Sequence, residues 1–216
     1  MADPTVKTLL DRYGHTYAED AGIRLADRPA PLYQLLVLAT LLSARITAGV
    51  AVAAARELFR AGYRNPTAMR EASWQDRVDA LGRGHYRRYD ERTATMLGDA
   101  ADLCLRRWHG DLRRLHAEAA GKIGRLRGLL MEFPGIGPTG ADIFLREVQD
   151  VWTDIRPYLD RKVTAGAKKL HLPTSPDALA RLTDPAETSR LASALVRVSL
   201  DRGADTDLRD ATKPRR

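Results

Sequence analysis

The sequence predicts an all-α protein, a bundle of roughly ten short helices. Two observations carry this. Ala, Leu and Arg, all good helix formers, crowd the chain, while alternating β-branched runs are almost absent and aromatics make up only 6% of it. The length of 216 residues and the 44% hydrophobic content suit one large domain or two small ones with a real core, which excludes wholesale disorder.

The elements follow in order. Residues Thr5 to Leu25 form a first amphipathic stretch, ended by Asp27-Arg28-Pro29-Ala30-Pro31, where prolines forbid helix continuation. Pro31 opens the next helix. Its Leu32, Leu35, Leu36, Leu38, Ala39, Leu41 and Leu42 are apolar nearly all round, the mark of a helix buried in a bundle. An alanine-rich helix runs from Ala48 to Phe59, broken by Gly62 and the Asn65-Pro66 turn, and Ser73 precedes a short stretch ending at Gly82. A helix between Gly84 and Trp108 is entered through His85-Tyr86-Arg87-Arg88-Tyr89 and closed by Gly110. A basic, glycine-punctuated segment then leads to Leu126-Leu129-Leu130-Met131, the turn Phe133 to Gly137, and a helix from Pro138 to about Val148. Two further helices follow Asp160 and Pro185. The polar tail 203–216 has nothing apolar beyond Leu208 and reads as mobile.

The chain carries 35 basic and 28 acidic side chains, a net +7, which points to a phosphate-rich partner. The stretch from Arg83 to Arg127 holds eleven basic and six acidic residues, so +5 of that excess is concentrated there. The single cysteine, Cys104, excludes an internal disulfide, a four-thiolate zinc site and a cysteine-ligated iron–sulfur cluster, and reads as a buried small hydrophobe. The five histidines show no metal-ligand spacing with carboxylates. The start of the chain has no apolar leader, and Leu35 to Leu42 is too short to span a bilayer, so the expected compartment is the cytoplasm.

The informative segment is Leu129 to Phe144. Helix, Pro134-Gly135-Ile136-Gly137, then helix reads as a tight hairpin whose two glycines let the backbone turn sharply and approach another molecule, while Ile136 pins the turn to the core. Pro138 sits at the first helical position, where its missing N–H costs nothing. Amides around Gly135, Gly137 and Thr139 at a positive helix end match a DNA phosphate, a contact blind to base sequence. The alternative is an αα-hairpin whose glycines only close a turn. The loop Gly82 to Tyr89 has two tyrosines to stack, three arginines to meet phosphates and two glycines to let it protrude; a solvated basic loop has a similar makeup.

Phe133-Pro134-Gly135-Ile136-Gly137 followed by Ala141, together with Pro31-Leu32 through Leu41-Leu42-Ser43-Ala44-Arg45 about ninety residues earlier, resembles the helix-hairpin-helix DNA glycosylase superfamily, which includes endonuclease III. The resemblance covers about residues 30 to 170. It implies a two-subdomain helical bundle, with 30–130 as a central subdomain that includes the hairpin's first helix, and 1–29 plus 131–202 as the second. It also implies base-excision chemistry: a nucleotide is extruded from the stack and its N-glycosidic bond broken through an oxocarbenium-like sugar.

The family's Schiff-base lysine corresponds to Thr139, so a lysine-dependent lyase step is not expected. The family's aspartate falls on Pro157 in one alignment and, shifted by three, on Asp160, which also reads as an ordinary N-cap. Asp142 is the fallback acid, although its place in the first turns of a helix only complements the dipole. Arg45 matches the family's gap-filling glutamine, or else meets the C-terminal dipole of its helix. His85, Tyr86, Arg87 and Arg88 fall where the family has its wedge loop. The implied protein is a cytoplasmic, nucleoid-associated monofunctional glycosylase, a monomer acting on double-stranded DNA, with no cofactor, no iron–sulfur cluster and no metal site of side-chain ligands; a monovalent cation at the hairpin is the alternative to no cofactor. The alternative is a catalytically inactive relative that binds DNA structure or damage.

Overall fold

The computed structural model describes residues 4–201, 203–204 and 207–208, and no strand occurs among them. In chain order the helices are α1 (Pro4–Tyr13), α2 (Tyr17–Asp20), α3 (Pro29–Leu42), α4 (Ala48–Arg60), α5 (Pro66–Glu71), α6 (Trp74–Arg83), α7 (Asp90–Trp108), α8 (Leu112–Ala119), α9 (Ile123–Leu130), α10 (Pro138–Val148), α11 (Arg161–Lys169), α12 (Pro176–Ala180) and α13 (Thr188–Leu200). The all-α class stands. No helix among the described residues is long and apolar enough to cross a membrane.

Local chemistry accounts for where the elements depart from expectation. The stretch from Thr5 to Leu25 is broken at Gly14, whose amide returns to Leu10 O at 2.9 Å; a Cβ there would lie 2.3 Å from that oxygen. The helix expected from Pro31 begins at Pro29, both prolines lying in a first turn that needs no N–H partner. The short helices α5, α8 and α12 escape a periodicity argument because each spans too few turns. α5 and α8 are instead set by caps: Asn65 accepts from the Ala68 amide at 2.9 Å and Asp111 from the Arg113 amide at 3.0 Å.

Two compact units divide the chain, 18–145 and 1–17 with 146–216. The divisions therefore fall at 17/18 and 145/146 in place of the expected 29/30 and 130/131. The hairpin turn belongs wholly to the first unit because Phe133 is buried there, its ring centroid 5.1 Å from that of Trp108. In this unit α3 is the central helix, buried on nearly every side, with α4 and α8 packed on it and α7 packed on α5, α6 and α8.

The second unit packs α11 and α1 on α13. Gly166 permits the closeness of the first pair, since a Cβ there would fall 1.9 Å from Leu195 O. Lys169 Nζ then donates to the Val198, Ser199 and Asp201 carbonyls at 3.0, 3.2 and 3.0 Å, capping the end of α13. The start of the tail expected to be mobile is packed: Ala204 and Leu208 are fully buried. Residues 205, 206 and 209–216 of that tail lie outside the described residues.

Candidate nucleic-acid interface

α9, the turn 131–137 and α10 form the expected hairpin. Ile136 is buried and its amide returns to Phe133 O at 3.0 Å, which pins the turn. The two glycines differ. Gly135 has φ +87°, and a Cβ on it would meet Thr40 Cγ2 at 2.9 Å and Met96 Sδ at 3.1 Å, so this glycine is needed for both the turn and its packing. Gly137 adopts no positive φ and is exposed, with nothing within 4 Å of where its Cβ would be; its use lies in leaving the approach open. The first ladder bond of α10 runs from the Ala141 amide to Gly137 O at 3.0 Å, and Pro138 has no N–H. The amides of Thr139 and Gly140 thus precede the ladder at the helix's positive end, with the Thr139 side chain exposed.

Side-chain pairs brace this turn. Arg127 Nε donates to Asp142 Oδ1 at 2.8 Å, tying α9 to α10. That pairing gives the fallback acid Asp142 a structural role. Arg107 stacks over the Trp108 ring at 4.7 Å and pairs with Glu118 at 2.9 Å and with Glu132 of the turn. Trp108 Nε1 donates to Glu118 at 2.8 Å, and that bond, with Arg107, holds the Glu118 carboxyl below the usual carboxylate range.

Beside the turn opens a cleft of about 550 Å³, walled by the end of α3, the start of α7 and the turn itself. It brings Arg45 together with Gly135, Ile136 and Gly137, while Thr139 and Asp142 lie outside its lining.

The basic loop behaves differently from a protruding wedge. Tyr86 is only 2% exposed and its hydroxyl shares a 3.2 Å hydrogen bond with Thr93, so it forms cleft wall; burial pushes its pKa up. Gly84 is packed, since a Cβ there would lie 2.3 Å from Ala54 Cα of α4. His85, at φ +63°, Arg87 and Arg88 remain exposed, and Arg88 stacks over Tyr89 at 5.3 Å. The loop is therefore anchored at Gly84 and Tyr86, and the side chains it offers outward, Arg83 among them, are polar.

Asp160, in the unit 1–17 with 146–216, is the N-cap of α11. Its Oδ1 accepts from the Lys162 and Val163 amides at 2.8 and 3.0 Å, and its Oδ2 accepts from Arg146 Nη1. Both oxygens are engaged, and the pair is nearly sealed from water, Arg146 being 2% and Asp160 9% exposed at the side chain.

Besides Tyr89 of the basic loop, the cleft contains residues that motif reading missed. Tyr89, Arg92, Thr93 and Met96 line it at helical spacing along the entry to α7, a 3.6-residue period visible in the sequence once that helix is known to start at Asp90. Glu132, the acidic residue of the lining, precedes the hairpin motif and carries no sequence signal beyond that position. Among the described residues no three His, Cys, Asp or Glu side chains converge to hold a metal ion.

The all-α chain, with a helix-hairpin-helix turn beside a cleft, has the fold of endonuclease III. Two solved structures are among those that share it. A trapped endonuclease III–DNA covalent intermediate, described as an estranged-adenine complex, matches with a TM-score of 0.50 at 17% identity over 88% of this chain and 81% of its own. A non-covalent endonuclease III–DNA complex matches with a TM-score of 0.53 at 16% identity over 88% of this chain and 79% of its own. At these identities the likeness establishes the fold. No protein-family model and no curated protein matches the sequence.

Proposed function

We propose that this protein binds double-stranded DNA through the hairpin and acts as a monofunctional DNA glycosylase, hydrolysing the N-glycosidic bond of a damaged or mismatched base. The observation that carries the reading is the cleft of about 550 Å³ set directly beside the hairpin turn and flanked by Arg45 and Arg92. Extruding a nucleotide requires a grip on the backbone and a hole for the base. The first turn of α10 supplies the grip, the cleft supplies the hole, and the long planar guanidinium of Arg45 suits the space the base leaves. The two endonuclease III structures reported above are DNA complexes, which supports the assignment of partner.

Thr139, in the position of the family's lysine, has no amine for a Schiff base, so water is the nucleophile and no lyase step follows. Asp160 is the carboxylate assigned to the positive charge that develops on the sugar. Glu132 is the acid the cleft itself offers. The test is base release from duplexes carrying a panel of lesions, with Asp160→Asn and Glu132→Gln alongside wild type and borohydride trapping as a second readout. The expected result is release by wild type, loss in Asp160→Asn and no trapped adduct. Loss in Glu132→Gln alone would move the catalytic role into the cleft.

A second reading, binding of damaged DNA without cleavage, is favoured by the engagement of both Asp160 oxygens. Under it, wild type releases no base from any duplex yet binds a lesion duplex more tightly than an undamaged one.

A further inference from the structure

A second cleft, of about 320 Å³, lies in the 18–145 unit and shares no lining residue with the hairpin cleft. Gln34 of α3, Arg56, Phe59 and Arg60 of α4, and Arg64 line it beside the Ala21–Gly22 turn. Gln34 lies six residues before Thr40 and nine before Ser43, so the two clefts sit roughly 9–14 Å apart along the axis of α3.

Three arginines line this second cleft and no acidic residue does. Arg56 and Arg60 are four apart on one helical face, where like charges disfavour each other. Helix-end electrostatics accounts for part of the cluster: Arg60 closes α4 and pairs with Glu57, and Arg64 Nε donates to Phe59 O at 2.8 Å. It does not account for Arg56, which is exposed and has no acidic partner among the described residues. Arg64 is held at its backbone as well, since its carbonyl accepts from Gln34 Nε2 at 3.4 Å, and its Nη atoms have no hydrogen-bond partner among the described residues.

We propose that this cleft is a phosphate-binding site separate from the hairpin. Guanidinium forks recognise phosphate oxygens through paired charge-assisted hydrogen bonds, and a phosphate relieves the repulsion between Arg56 and Arg60. The phosphate comes either from a nucleic-acid backbone or from a free phosphate compound. The site stands whether or not the protein excises bases.

The full-length chain, Arg56→Gln/Arg60→Gln and Arg45→Ala are compared in two measurements: calorimetric titration with inorganic pyrophosphate, and duplex DNA affinity across a salt series. Arg64 is left intact because it caps α4. Wild type and Arg45→Ala bind pyrophosphate, and the double variant weakens that binding by at least about tenfold. If the natural source is DNA backbone, the double variant also lowers the slope of log affinity against log salt by up to about two. If it is a free compound, that slope is unchanged. A double variant with both pyrophosphate affinity and salt slope unchanged overturns the proposal, as does a wild type that binds no pyrophosphate and whose salt slope the variant leaves alone. Should the double variant fail to fold, Arg56→Gln alone, at an exposed and unpaired side chain, carries the same comparison.

Discussion

Arg146 and Asp160, fourteen residues apart in sequence, form a nearly water-free ion pair in which the carboxylate also caps α11. Removing one member strands the other. Asp160→Ala should therefore destabilise the protein by about 3–5 kcal/mol in urea unfolding, the range for an uncompensated buried charge. Asp160→Asn, which keeps an oxygen for the cap, should cost less, and Arg146→Met with Asp160→Asn less than the sum of the single changes. An Asp160→Ala variant within about 0.5 kcal/mol of wild type would show that the pair carries no stability.

The hairpin glycines separate folding from binding. Gly135→Ala forces a side chain into the left-handed region against Thr40 and Met96, so it should cost about 1–3 kcal/mol in thermal unfolding as well as weaken DNA binding. Gly137→Ala meets open space and should leave stability within about 0.5 kcal/mol while weakening duplex affinity by obstructing close approach. Equal effects of the two substitutions on stability would contradict this division.

Asp150 caps the start of α13 through Ser189, and burial, outweighing that hydrogen bond and the nearby Arg156, pushes its carboxyl pKa up. A raised folded-state pKa favours the protonated form. Its contribution is thus complete below the unfolded value near 3.9 and is lost as pH rises through the folded one. Asp150→Asn has no charge to bury, so its stability relative to wild type should grow as pH rises above about 4. Parallel stability curves over that range would refute the assignment.

Cys104 is fully buried in α7 and its thiol is pushed up to about 12, mainly by burial. Thiolate is the reactive form, so labelling by a disulfide reagent at about pH 8 should follow global unfolding in rate and denaturant dependence. Fast labelling of the native protein would show a local opening of α7 at this residue.

Much of the fold was legible because its signals are local. The all-round apolar Leu32 to Leu41 pattern does mark the central helix, and Pro134-Gly135-Ile136-Gly137 does form a hairpin with Ile136 inward. Three helices were not legible, since α5, α8 and α12 are too short for a period and two of them depend on single capping side chains. The loop around Tyr86 has a composition suited to protrusion. Tyr86 itself is buried, through Gly84 meeting α4 and through its hydrogen bond to Thr93, contacts with other elements.

The sequence by itself determined the helical class, the position of the turn and the concentration of positive charge ahead of it. Periodicity, glycine freedom and charge count are properties of adjacent residues. Tertiary structure decided which groups are free to act. It set Arg45 and Arg92 on one cleft with the turn, spent Asp142 on Arg127, and enclosed Asp160 with Arg146. The physical reason is that burial and ion pairing depend on distance in space, and the partners that neutralise or expose a side chain come from elsewhere in the chain.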